Sequence, residues 1–223
     1  MKSNINILLI TLILTTFISC NQKPKDDTPW VNLFDGETLN GWSQLGGEAT
    51  YAVKDNAIVG TTVHNTPNSF MTTDKLYGDF ILELDYKVDP SMNSGIQIRS
   101  NSLPHYMDGR VHGYQIEIDP SERAWSAGIY DEARRGWLNP MTDNPDAQKA
   151  FKQNEWNHYR IEAIGDTLKT WINDVPAAYL IDDKTDKGFI ALQVHSISDE
   201  QKDGTDIIWK DIKILTDSLS KYS

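Results

Sequence analysis

Phe80-Ile81-Leu82-Glu83-Leu84-Asp85-Tyr86-Lys87-Val88 puts Phe80, Leu82, Leu84, Tyr86 and Val88 on one side of an extended chain, and Ile81, Glu83, Asp85 and Lys87 on the other. A period of two is what a strand with one face on a core requires, because successive Cβ atoms point to opposite faces. The alternation returns in Ile96-Gln97-Ile98-Arg99, in Tyr114-Gln115-Ile116-Glu117-Ile118-Asp119, in Tyr159-Arg160-Ile161-Glu162-Ala163 and in Ile190-Ala191-Leu192-Gln193-Val194-His195. Turn signals such as Asp35-Gly36, Asn40-Gly41, Asp108-Gly109, Asn173-Asp174 and Asp203-Gly204 separate the runs, and such pairs suit tight hairpins. A single short helix is expected over residues 145–152. Short strands in this number and so little helix predict an all-β domain, two antiparallel sheets packed as a jelly-roll sandwich.

If the apolar side of each strand meets the core, the other side of one sheet presents Glu83 and Asp85, Gln97 and Arg99, Gln115, Glu117 and Asp119, and Gln193 with His195. Ordinary solvated faces are rich in Lys, Glu and Thr. Amides, Arg, His and paired carboxylates are recognition residues instead: an amide both donates and accepts, and a guanidinium offers a planar fork of donors. Trp42, Tyr106, Trp125, Tyr130 and Trp137 sit beside glycines or in expected loops and offer faces on which sugar rings stack. Arg134 and Arg135, in the segment from Gly128 to Trp137, fit substrate positioning or a structural pair with Asp131.

Several chemistries lack their motifs. The five histidines have no metal-ligand spacing, and no nucleophile elbow, phosphate loop or dinucleotide fingerprint is present. No cofactor is expected, although a divalent cation such as calcium is compatible with the acidic residues. A formal net charge of -11, from 32 acidic and 21 basic residues, disfavours nucleic acid and anionic lipid as partners. Glu117-Ile118-Asp119-Pro120-Ser121-Glu122 has the E-x-D-x-x-E spacing of retaining laminarinase-type sandwich hydrolases. Pro120 should end the strand and swing Glu122 away.

The N-terminus addresses location. Lys2 precedes an apolar run too short for a permanent span, and the run closes on Phe17-Ile18-Ser19-Cys20, where Cys20 is the sole cysteine of the chain. This resembles a lipobox, so residues 1–19 read as a signal peptide and 20–29 as a tether lipidated at Cys20. Residues 30–216 form the expected domain and 217–223 a C-terminal tail. The expected location is the cell envelope, probing no deeper than a lipid anchor, at the outer membrane on its periplasmic or surface face.

Leu33-Phe34-Asp35-Gly36-Glu37-Thr38-Leu39-Asn40-Gly41-Trp42, Tyr77-Gly78-Asp79-Phe80, Asn93-Ser94-Gly95-Ile96, Gly113-Tyr114-Gln115-Ile116-Glu117, Glu155-Trp156-Asn157 and Leu192-Gln193-Val194-His195 occur in order. Together they resemble the 3-keto-disaccharide hydrolase domain family of Bacteroidetes-type lipoproteins, formerly a domain of unknown function. The resemblance implies a concanavalin A-like jelly roll and cleavage of a carbohydrate, an oxidised disaccharide or glycoside carrying a ketone at C3, by elimination and hydration. Where many relatives have Glu-x-Gln after Gly113-Tyr114, this chain has Gln115 and Glu117 exchanged. Residue type and strand face nominate Glu117 or Asp119 as base, Arg99 or Arg134 as enolate stabiliser and His195 as acid or positioning group. Glu83, Asn93, Gln115, Tyr130, Arg135, Trp137 and Gln193 are further substrate-binding candidates. Two alternatives stand beside this reading: a non-catalytic carbohydrate-binding lipoprotein, and a conventional retaining glycosidase using Glu117 and Glu122.

Overall fold

A computed structural model describes residues 29–223; Cys20, the signal peptide and nearly all of the tether lie outside the described residues. In chain order the strands are β1 (Val31–Asn32), β2 (Trp42–Gly46), β3 (Thr50–Lys54), β4 (Ala57–Thr61), β5 (Ser69–Thr73), β6 (Phe80–Val88), β7 (Ser94–Asn101), β8 (His112–Ile118), β9 (Ile129–Glu132) and β10 (Gly136–Asn139). Helix α1 (Pro145–Ala150) follows, then β11 (Asn157–Ile164), β12 (Thr167–Ile172), β13 (Val175–Ile181), β14 (Phe189–Val194) and β15 (Asp206–Leu215). One sheet runs β13-β12-β11-β6-β15-β4-β3, with β1 beside β15, and the other runs β10-β9-β8-β7-β14-β5-β2. All strand pairs within both sheets are antiparallel. This is the jelly-roll sandwich that the alternation predicts.

The core lies between the sheets. Leu82, Leu84 and Tyr86 of β6 join Ile96 and Ile98 of β7, Ile116 of β8 and Leu192 of β14 in one cluster of fully buried side chains. Burial of each such side chain stabilises the fold by about 1.5–3 kcal/mol. The apolar half of the quoted β6 stretch therefore fixes which way that strand faces. Helix α1 begins where Asn144 accepts from the Ala147 N–H and Pro145 occupies the first turn, a position at which proline loses no hydrogen bond. It stops at Ala150, short of the expected residue 152, because Phe151 is extended and the Lys152 N–H turns to Asn157 Oδ1 at 2.8 Å. The C-terminal segment packs back on the first sheet, with Tyr222 edge-on to Trp30 and its carbonyl accepting from Arg160.

Two features of the topology govern the site. The strand β6 belongs to the first sheet, whereas β7, β8 and β14 are adjacent in the second. Glu83 and Asp85 thus leave the group in which the alternation alone had placed them: Glu83 pairs with Arg160 and Lys213, and Asp85 with His158, on the outer face of the opposite sheet. The second feature is a register shift in β7 between Ile98 and Asn101, where Arg99 adopts φ 46°. A bulge breaks the period of two and re-aims the side chain. Arg99 is 1% exposed and donates to the Gly78 carbonyl and Asp79, in the link from β5 to β6, and to the Gly165 carbonyl, on the β11–β12 turn. It ties the sheets together and lies outside the groove lining described below.

Candidate functional site

The outer face of the second sheet carries the expected amides, sunk far deeper than a solvated face. Gln97 and Gln193 are 0% exposed, Gln115 3% and Glu117 4%. Register explains how they meet, because Gln97 pairs with Gln115 across β7 and β8, while Gly95 stands opposite both Glu117 and Gln193. Gly95 leaves the space that Gln115 fills: a Cβ there would lie 2.5 Å from Gln115 Cγ.

These side chains form a directed chain of hydrogen bonds. Ser100 Oγ donates to Gln97 Oε1 at 2.8 Å, and the Gln97 and Gln193 amide groups both donate to Gln115 Oε1, at 2.5 and 2.9 Å. With its carbonyl so occupied, Gln115 turns its amino group to Glu117 Oε2 at 2.8 Å, while Asn93 donates to Oε1 at 2.6 Å. The backbone beneath is held as firmly, since the Glu117 carbonyl accepts from the Ala127 N–H and from the buried Tyr159 hydroxyl of β11. Burial dominates the electrostatics and pushes the Glu117 carboxyl up to about 7, Asp119 adding to the rise and the donors Asn93 and Gln115, with Arg123, opposing it. A carboxyl with this value exchanges protons near neutral pH.

Glu117 opens into a cavity of about 420 Å³ whose lining includes Asn93, Gln115, Arg110, Arg123, Tyr130, Glu132, Arg134, Trp137 and His195. Small-ligand sites have this size. One wall is aromatic, with Trp137 edge-on to both Trp125 and Tyr130 at 4.7 and 5.2 Å, and the Arg123 guanidinium 5.1 Å from the Trp137 ring centre. His195 is the one histidine of the lining, and its Nδ1 lies 2.6 Å from the Ser196 carbonyl. That contact suits an Nδ1–H donor and leaves Nε2 as the free ring nitrogen.

The structure thus brings together Asn93, Gln115, Glu117, Tyr130, Arg134, Trp137 and His195 at the cavity, with Gln193 beneath its floor. It removes others. Asp119 is 2% exposed and outside the lining; its Oδ1 accepts from Ser121 and its Oδ2 from Arg123 Nε at 2.7 Å and the Trp125 N–H. It positions Arg123 and has no free lone pair directed at a ligand. Arg135 is bound to Asp131 and Asp182 outside the cavity. Arg134 reaches the lining with its Nε held by Asp131 at 2.6 Å and one terminal nitrogen by Thr185, so the structural pair with Asp131 holds for both arginines. Trp42 is core, its Nε1 donating to the Leu33 carbonyl at 2.9 Å.

Glu122 is exposed on the turn after Pro120 and absent from the lining, which corrects the retaining pair Glu117/Glu122. The other carboxylate of the cavity, Glu132, stands opposite Gly113, four residues along β8 from Glu117. That places their backbones roughly 13 Å apart along the sheet, with both side chains lining the same cavity. Arg110, Arg123 and Glu132 are not legible as site residues because loops and the short strand β9, between β8 and β10, carry them in, and no periodicity points to them. Among the described residues no cluster of three or more His, Cys, Asp or Glu side chains is arranged to hold a metal.

Fold and groove together define a lectin-like jelly-roll domain with a polar, aromatic-walled site on one sheet. Within that class, the chain belongs to the family of 3-keto-alpha-glucoside-1,2-lyase-like domains, whose model matches residues 29–215. Membership makes it a carbohydrate-active type of domain. No curated protein matches by sequence. Among solved structures, a candidate glycosyl hydrolase from Parabacteroides distasonis is similar over 83% of this chain and 93% of its own, with 18% identity and TM-score 0.60. The carbohydrate-binding module CBM66 from Bacillus subtilis is similar over 79% of this chain and 96% of its own, with 16% identity and TM-score 0.54. A Bacillus subtilis protein with a galectin-like fold gives 12% identity and TM-score 0.59 over 79% and 90% of the two chains. At these identities the likeness is one of fold.

Proposed function

We propose that this domain cleaves glycosides already oxidised at C3 of the sugar, by elimination followed by hydration, with Glu117 as the base. The observation that carries the reading is a buried carboxyl, Glu117, raised to about 7 and facing a ligand-sized polar cavity whose lining also holds Arg110, Arg123 and Arg134. A ketone at C3 acidifies the C2 hydrogen. Glu117 takes that proton, the electron pair of the C2–H bond forms the enolate, and collapse of the enolate expels the C1 oxygen substituent to leave a C1–C2 double bond. The leaving oxygen takes a proton from His195 or from water. Water then adds its oxygen to C1, and C2 regains a proton, which releases the 3-keto sugar. Arg110, Arg123 and Arg134 supply positive charge around the enolate, and an enolate oxygen formed beside such groups is stabilised without reorganisation.

Several observations support this division of labour. A near-neutral carboxyl suits proton abstraction at the working pH. Aromatic faces at Trp137 and Tyr130 offer a platform for the sugar ring. The lipobox-like segment ending at Cys20 adds a location to the proposal: a lipid-anchored enzyme of the cell envelope, at the outer membrane, meeting its substrates outside the cytoplasm.

Incubation of the protein with matched native and 3-keto disaccharides, following free reducing sugar, tests the reading. Release from the oxidised member alone is expected. Release from the native sugar would establish a conventional glycosidase, and tight binding with no release from either would establish a binding module.

A further inference from the structure

A second cavity, of about 700 Å³, adjoins the first and shares Asn68, Arg110, Glu132 and His195 with it. Its character differs. Phe70 and Val111 line it, above a cluster with Phe189 and Ala191 that is separate from the main core. These four side chains are 0–6% exposed although they stand on the outer face of the second sheet, where the neighbouring chamber is floored with amides. Met107, 56% exposed, stands at the rim of the same cavity on a turn in which it and Asp108 both have positive φ.

Resting on the proposed function, we infer that this second cavity receives the leaving group, and that the leaving group carries an apolar or aromatic face which the Phe70–Val111–Met107 patch covers. A hexose presents hydroxyls around its whole edge, and each one buried without a partner costs free energy. Against the patch of Phe70, Val111 and Met107 they find no side-chain partner, while Asn68, Asp108, Arg110, Glu132, His195 and Ser196 in the same lining offer polar ones around it. An aryl group covers that surface and is bound by it. The shared residues meet the bond to be broken: His195 and the Arg110–Glu132 pair, 3.2 Å apart, stand at the junction of the two chambers, next to the oxygen that departs.

The test compares kcat/KM of the full chain on benzyl 3-keto-glucoside, methyl 3-keto-glucoside and a 3-keto disaccharide, for both anomers, the benzyl and methyl alcohols being matched as leaving groups. The benzyl substrate is expected to exceed each of the others by about tenfold or more, the scale set by burying one ring. Met107→Ser changes an exposed side chain and Val111→Thr keeps the volume. Each is expected to reduce the benzyl-to-methyl ratio severalfold. A ratio near one, a preference for the disaccharide, or a ratio that neither substitution moves overturns the inference. If no oxidised glycoside is turned over, the proposed function fails, and the cavity is judged by calorimetry with unoxidised benzyl and methyl glucosides. Benzyl binding tighter by about tenfold then sustains the apolar leaving-group pocket, and equal binding overturns it.

Discussion

In the proposed reaction Glu117 concentrates the chemistry in one proton. Its carboxyl is raised to about 7 chiefly by burial, while Asn93 and Gln115 donate to the ionised form and hold the value down. A base acts ionised, so kcat/KM is expected to rise with pH, about tenfold per unit below pH 7, and to level off above it. Asn93→Ala removes a donor that favours the carboxylate. The rising limb should therefore move to higher pH. A pH–rate profile of the variant checks this, and a limb that stays in place or moves down would count against Glu117 as the base. Asp119 illustrates the opposite case: the same residue class two positions on, with both oxygens already accepting from Ser121, Arg123 and Trp125.

At the scale of elements, the site depends on how β7 and β8 lie together. Gly95 leaves room for Gln115, and Gly95→Ala would press a Cβ to 2.5 Å from Gln115 Cγ. We expect a folded protein with kcat/KM lowered by about tenfold or more, since a misplaced catalytic group loses effective concentration; unchanged turnover beside an unchanged circular dichroism spectrum would contradict it. Arg99 behaves differently because its bonds go to the β5–β6 link and the β11–β12 turn. Arg99→Met removes the donor to the Gly78 and Gly165 carbonyls, while Asp79 keeps the Gly165 N–H, and should cost about 2–3 kcal/mol of stability with kcat per folded molecule retained. Denaturant unfolding alongside activity separates the two effects. These strands also show what sequence reveals. Alternation in β6, β8 and β14 exposes both the core and the amide floor, because a period of two is a local property. Sheet membership is not local, so Glu83 could be read onto the wrong sheet. The bulge at Arg99 leaves no trace in the pattern, and Arg110, Arg123 and Glu132 enter the cavity from segments whose course only the tertiary structure sets.

For the whole molecule, the sandwich holds the polar cavity on one face and carries on the other a surface of ion pairs such as Arg160 with Glu83 and Lys213 with Glu83. The proposed tether adds a place. Cys20→Ser should shift the protein from the membrane fraction to the soluble fraction after cell disruption, and retention of the variant in membranes would remove the lipid anchor from the account. The acidic charge of -11 fits a neutral sugar better than a phosphorylated one. Elimination through C2 is the central claim, and solvent isotope uptake reads it directly. In deuterated water the protein should convert a 3-keto-glycoside to free 3-keto sugar carrying deuterium at C2, seen by proton NMR, and Glu117→Gln should abolish both release and labelling beyond the spontaneous background. Release of a sugar that retains its C2 proton would contradict the account, because direct displacement at C1 never breaks that bond.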